Sequence, residues 1–286
     1  MAPYGISLQS LIRRFWKKTL LTWVLVVLEG AALVAMPMAI GWAVDDLMNE
    51  SLAGIFKLAG LCLFMLFAGA GRRFYDTRAY ARIYSQVANE LVEHEQNQDV
   101  SLSRISARSN LFTEFIQFLE ESIPGVITEI IGLFGTLVII VFIDIKVFLA
   151  CLISAALTVV IYGVSEKKIF SLNKGGNDEL ERQVDVFASK DAKRTQSHFT
   201  KLMDWQIRLS DLETLNFSLI WVILGAVLVF SVVTVTSSGS ATFGQIVSTV
   251  MYVFGFAEGV LAFPLYYQQV IRLREIGLRL AEPQGV

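Results

Sequence analysis

The stretch Leu20 to Val44, LLTWVLVVLEGAALVAMPMAIGWAV, carries a single ionisable side chain, Glu29. A helix needs roughly 20 apolar residues to cross a hydrocarbon core of about 30 Å, and this stretch is long enough. It is too long for the apolar part of a cleaved signal peptide, and no small-residue cleavage site precedes a polar mature chain. The stretch therefore predicts a helix that stays in the membrane.

The rest of the chain repeats this pattern. Its composition is 54% hydrophobic and 17% charged, which is typical of neither a soluble domain nor a basic nucleic-acid binder. Five further apolar stretches are long enough to span, so we predict an all-α membrane protein with six transmembrane helices, at about 20–44, 52–71, 123–143, 147–164, 215–236 and 243–265.

The basic residues predict the orientation. Lys and Arg concentrate on the cytoplasmic side of short loops. Here they cluster before the first span, after the second, and between the fourth and fifth, whereas the intervening loops carry almost none. We therefore predict a multi-pass protein of the cytoplasmic (inner) membrane with both termini in the cytoplasm.

Two kinds of segment lie outside the spans. Residues 8–18 place Leu8, Leu11, Ile12 and Phe15 on one helical face, which predicts an interfacial amphipathic helix. The connections 72–122 and 165–214 are rich in helix formers, and we interpret them as cytoplasmic helical hairpins that continue the spans. Their expected tips are residues 99–109 and 172–177, where Ser, Gly and Asn cluster.

No cofactor or metal is expected. Two cysteines and two histidines lie at no ligand spacing, and no G-x-x-x-x-G-K-[ST] phosphate loop is present. We therefore expect no enzymatic activity and no ATP hydrolysis by these 286 residues alone.

This architecture resembles the transmembrane domain of ABC exporters over nearly the whole chain. Local matches are Glu29 to Pro37, running on to Asp45, which resembles the first span of the family, and Thr242-Phe-Gly244, which with Phe263-Pro264 resembles the sixth. The segment that begins at Val100 departs from the family, because it lacks the aromatic pair and the glycine usual near the first cytoplasmic tip.

The resemblance implies a domain-swapped homodimer with a central pathway between twelve helices. A second implied partner is a separate ATPase subunit, although the poor first tip speaks against its docking. The SbmA and BacA peptide importers share this fold, lack an ATPase domain and run on the proton gradient, so an ATPase-free transporter is also consistent with the resemblance.

Three carboxylates within the predicted spans are candidates for ion, proton or pathway sites: Glu29, Glu258 and Glu129. Counting from Leu20 places Glu29 near the bilayer midplane, where a charge needs a partner, a wet cavity or a proton. Each also has a structural alternative: an inter-helix hydrogen bond for Glu29, packing around Glu258, and snorkelling to the interface for Glu129.

Other residues have simpler interpretations. Gly255 and Gly259 form a G-x-x-x-G pair, which is usually a helix-packing motif. Arg72 and Arg73 at the end of the second span are typical of a topology anchor.

Three functions remain open at this point. The first is a homodimeric, gradient-driven transporter of a peptide, a lipid-like molecule or another amphipathic substrate. The second is a homodimeric ion channel, with acidic rings of Glu29 or Glu258 that select cations. The third is the membrane subunit of an ABC exporter whose ATPase is a separate chain. For these functions the expected partners are membrane lipid, a second copy of the chain and the transported molecule or ion. Nucleic acid is not an expected partner.

Overall fold

The computed structural model describes residues 8–97, 102–237 and 239–281. These residues form α-helices and one π-helical turn, with no strand among them. The helices are α1 Leu8–Met48, α2 Ala53–Gln96, α3 Leu102–Gln117, the π-helical turn Phe118–Ser122, α4 Ile123–Ile143, α5 Ile145–Glu181, α6 Gln183–Ala188, α7 Ala192–Ser237 and α8 Phe243–Ala281.

Six helical segments of the described chain are long and apolar enough to cross a membrane. They are Arg13–Met48, Ala53–Glu93, Arg108–Ile143, Ile145–Ala188, Ala192–Ser237 and Phe243–Arg274. The predicted all-α, six-span membrane fold is therefore confirmed.

Helices α2, α5 and α7 run on well past their apolar stretches, with 44, 37 and 46 residues. At about 1.5 Å per residue each is longer than the 30 Å core of a bilayer, so part of each helix must lie outside the core. Such extensions were predicted from the lack of helix breakers in the two long connections.

The turn of the second connection was predicted at the wrong place. Residues 172–177 are helical, and Gly175 packs against the Trp205 ring, so a side chain there would clash with the indole. The chain turns instead at Ser189–Asp191, where Lys190 has a φ of 52°. The Asp191 carboxylate then caps α7 by accepting the Lys193 backbone N–H at 2.8 Å.

The first predicted tip, residues 99–109, is only partly described. Residues 98–101 lie outside the described residues, and α3 begins at Leu102. Residues 102–109 are therefore helical rather than part of a turn.

The start of α1 is bent. Phe15 has non-helical backbone angles, φ −111° and ψ 21°, which separates the first turns of α1 from the long helix that follows. The Phe15 side chain is buried with Tyr80 and Ile83 of α2 and with Phe112 of α3. This cluster fixes the bend, while the membrane-surface position of residues 8–18 remains a prediction.

The helices form two compact units, α1 to α4 with α8, and α5 to α7. In the first unit, α1 contacts α2, α4 and α8. Gly30 and Gly135 allow the close approach of α1 and α4, because a side chain at either position would press against Ile131 or Val34 respectively.

One end of the α1–α8 contact is held by Asp45. Its carboxylate accepts the Gly244 N–H at 2.7 Å and the Thr242 hydroxyl at 2.6 Å, so it caps the first turn of α8. Gly41 and Gly244 face each other so closely that a side chain at either would clash with the other backbone. The two stretches that resemble ABC exporters in sequence therefore pack against each other.

The second unit is a two-helix ribbon of α5 and α7 with the short α6 at its tip. Cys151 and Ser154 of α5 and Ile220 and Leu224 of α7 are buried between the helices. Beyond these, Ser165 donates to the Asn216 side-chain oxygen at 2.8 Å. Many apolar side chains on the ribbon are exposed, as a lipid-facing or partner-facing surface requires.

Candidate functional site

The central polar feature of the first unit is an ion-pair network between α1 and α2. Arg72 Nε lies 2.6 Å from Glu29 Oε2, and Arg72 Nη1 lies 3.2 Å from Asp76 Oδ2. The Thr22 hydroxyl donates to Asp76 Oδ1 at 2.6 Å. The side chains of Glu29, Arg72 and Asp76 are only 18%, 14% and 3% exposed.

The helix geometry makes this network possible. Arg72 and Asp76 are four residues apart, so both lie on the face of α2 that contacts α1. Gly69, one turn earlier, leaves room for the Glu29 carboxylate, because a Cβ there would lie 3.2 Å from Glu29 Oε1. The interpretation of Arg72 as a topology anchor is therefore incomplete, since its guanidinium lies inside the bundle and bridges two carboxylates.

The network lies far from the ends of α1 and α2 that are joined by the short loop between them. Glu29 precedes Asp45 on α1 by about 24 Å of helix, and Arg72 follows the start of α2 at Ala53 by about 28 Å. The position of Glu29 near the bilayer midplane stays a prediction.

A cavity of about 480 Å³ opens beside the network. It lies within the first unit, between α1, α2, the π-helical turn and α4. Its lining residues are Glu29, Arg72, Arg73, Asp76, Thr77, Glu120, Glu121, Pro124, Gly125, Thr128 and Glu129. The structure thus brings two of the predicted candidates, Glu29 and Glu129, to one cavity.

Glu129 lines the cavity from α4, whereas Glu29 lines it from α1. Tyr266 of α8 lies beside Glu129, whose side chain is partly buried. The carboxylate lines the same cavity as Glu29, and its snorkelling to the interface stays a prediction.

The third candidate, Glu258, is not part of this site. It is exposed on α8, away from the cavity-lining residues. Of the two neighbouring glycines, Gly259 packs against Leu133 of α4, where a Cβ would lie at 3.3 Å, whereas Gly255 has open space beside it. Among the described residues, Gly259 therefore has the predicted helix-packing contact and Gly255 has none.

Three acidic residues of the site were missed by sequence reasoning. Asp76 could have been found from its four-residue spacing to Arg72. Glu120 and Glu121 lie in the connection that was treated as a cytoplasmic hairpin, and the π-helical turn that places them at the cavity has no recognisable sequence signal.

The described residues contain no group of His, Cys, Asp and Glu that could hold a metal ion. His198 is buried, and its Nδ1 lies 2.9 Å from Glu179 Oε1 in the second unit. This pair joins α7 to α5.

A search of curated proteins found no match to this chain. A family model for the ABC transporter transmembrane region matches residues 8–244, which run from the start of α1 to the start of α8. The match includes α1, α2 and α4, which carry the Glu29–Arg72–Asp76 network and the cavity. The chain therefore belongs to the family of ABC transporter transmembrane regions.

Proposed function

We propose that this protein is a homodimeric transporter in which the Glu29–Arg72–Asp76 network couples an ion gradient to the movement of a substrate. The observation that carries the proposal is a partly buried ion-pair network beside a cavity, within a six-span membrane bundle. Charged groups in such bundles are expensive and commonly mark ion or proton pathways. A gradient is the proposed energy source because Glu29, a carboxylate in a long apolar stretch, is paired within this network beside the cavity.

Arg72 gives the network two alternative arrangements. With both carboxylates charged, Arg72 bridges α1 and α2 through Glu29 while also pairing with Asp76 of its own helix. If Glu29 takes up a proton, Asp76 still holds Arg72, and the bond between the helices weakens. A proton can in this way change the contact between α1 and α2.

A dimer of two copies of the chain is proposed because Glu258 must be shielded from the hydrocarbon of the membrane. It is exposed on an apolar helix, and a carboxylate in contact with hydrocarbon costs about 2.5 to 3.5 kcal/mol on insertion scales. A second copy would shield it or place it in an aqueous path. Native mass spectrometry in mild detergent should show a dimer, and only monomer in several mild detergents would count against it.

The proposed orientation places both termini in the cytoplasm, because the basic residues cluster on that side. In a Cys62→Ser/Cys151→Ser background, Glu50→Cys should react with an impermeant thiol reagent added to intact cells. Asn177→Cys should react only after the membrane is opened. Labelling of Asn177→Cys in intact cells would contradict the proposed orientation.

Two-sided access to the cavity tests the transporter function. Thr128 lines the cavity, so Thr128→Cys in the same background reports which side the cavity faces. We expect the thiol reagent to label Thr128→Cys from either side of the membrane. Conditions that speed labelling from one side should slow labelling from the other. Glu50→Cys and Asn177→Cys are the controls, because each should be labelled from one side only.

Other outcomes of this experiment are informative. Simultaneous labelling from both sides under all conditions would indicate a channel. Access from one side only, whatever the pH, would contradict the proposal.

The ATPase-dependent function has its own structural support. The short helix α6 at the tip of the ribbon exposes Val184 by 76% and Phe187 by 47%. Exposed apolar side chains on a surface outside the membrane are typical of a protein contact. A separate ATPase subunit docked at α6 is therefore the second candidate, and Val184→Asp with Phe187→Asp should then abolish ATP-dependent transport.

A further inference from the structure

We propose that the cavity binds a small organic cation, bearing ammonium or quaternary ammonium groups, as the transported substrate. This inference rests on the proposed transport function and specifies its substrate class. It narrows the earlier expectation of a peptide, a lipid-like molecule or another amphipathic substrate.

The first support is the size of the cavity. Its volume of about 480 Å³ lies in the lower part of the range of roughly 300 to 1,000 Å³ that is usual for small-molecule sites. The cavity is open on one side, and its lining residues all belong to helices of the first unit. A site of this kind suits a compact solute better than a peptide or a phospholipid.

The second support is the charge of the lining. Five carboxylates and two guanidinium groups line the cavity, which leaves a formal surplus of three negative charges. In a membrane-embedded bundle such a surplus is unfavourable unless cations compensate it. A cationic solute would supply that compensation when bound.

The third support is the way in which the charges are divided. Arg72 is held by Glu29 and Asp76 on one wall. No salt bridge joins Glu120, Glu121 or Glu129 to any other residue in the described ranges. The surplus is thus concentrated on the wall formed by the π-helical turn and α4, and that wall is where the cation would bind.

The remaining lining fits a cation as well. The Thr77 and Thr128 side chains can accept hydrogen bonds from an ammonium group, and Gly125 leaves open space on the acidic wall. Tyr266 beside Glu129 offers an aromatic ring near that wall. Glu29, Arg72 and Asp76 line the same cavity, so the substrate site and the coupling network share one space.

Equilibrium binding tests this inference without any gradient. The purified protein in nanodiscs of neutral lipid is titrated with radiolabelled spermidine and with radiolabelled tetraethylammonium. We expect saturable binding of at least one of them and no binding of benzoate, an anion of small size. Absence of saturable binding of both cations would overturn the proposal.

Variants locate the site. Glu129→Gln and Glu120→Gln/Glu121→Gln should each weaken binding about tenfold or more, because each removes a charged partner of the cation. Asp178→Asn, at an exposed position of the second unit, is the matched control and should bind like the parent. Unchanged affinity in the cavity variants would also overturn the proposal.

Two further features of the design keep the test decisive. Glu121 is exposed, so Glu121→Gln alone serves if the other variants do not fold, and it should still weaken binding measurably. Cation binding without two-sided labelling of Thr128→Cys would contradict transport but support the substrate site. Two-sided labelling without cation binding would contradict this inference and leave transport standing.

Discussion

Replacing Glu29 by Gln should abolish gradient-driven transport while leaving the protein folded. Gln keeps the size and the hydrogen-bonding capacity of Glu29, but it cannot exchange a proton, and Arg72 would remain paired with Asp76 alone. The measurement is flux in reconstituted vesicles under an imposed pH gradient, together with the melting temperature of the purified protein.

Two comparisons make this result specific. Glu29→Asp still titrates but is one methylene shorter, so partial activity is expected. Glu181→Gln, at an exposed position of the second unit, should transport like the parent. If Glu29→Gln transports with an unchanged pH profile, then Glu29 has only a packing role.

Replacing Arg72 by Met should cause the largest loss of stability. It removes the cation between two carboxylates that are mostly shielded from water, and uncompensated buried charge typically costs about 3 to 5 kcal/mol. The melting temperature should fall clearly, and adding Glu29→Gln and Asp76→Asn to Arg72→Met should recover much of the loss. This recovery measures the coupling within the network.

Arg272→Met is the matched control for Arg72→Met. Arg272 pairs with Glu114 between α8 and α3, but its side chain is 67% exposed. Exposed ion pairs contribute about 0 to 1 kcal/mol, so a much smaller effect is expected. Equal losses in the two variants would contradict the special position of Arg72.

Composition and periodicity predicted the fold class well. Apolar stretches longer than about 20 residues have few alternatives to transmembrane helices, so the number of spans followed from hydropathy. The turn at Ser189–Asp191 could not be found in this way, because Gly175 was interpreted as a helix breaker whereas it provides room for Trp205. A glycine in sequence does not reveal whether it turns the chain or admits a neighbour.

The site was only half predictable. Glu29 stood out because a carboxylate in a long apolar stretch is rare. Its partner Arg72 did not stand out, because basic residues at the end of a span usually face the interface. The contact between Arg72 and Glu29 also joins residues that are 43 positions apart. Glu129 was recognised as a candidate, but the sequence does not tell that its face of α4 lines the same cavity as Glu29.

The most direct test of the account is transport by the purified chain in vesicles, measured with a pH gradient and with Mg²⁺ and ATP in turn. The account predicts substrate flux that follows the pH gradient, collapses when a protonophore is added and does not change with ATP. Flux that requires ATP and ignores the gradient would contradict the central claim that an ion gradient, acting through Glu29 and Arg72, drives this protein.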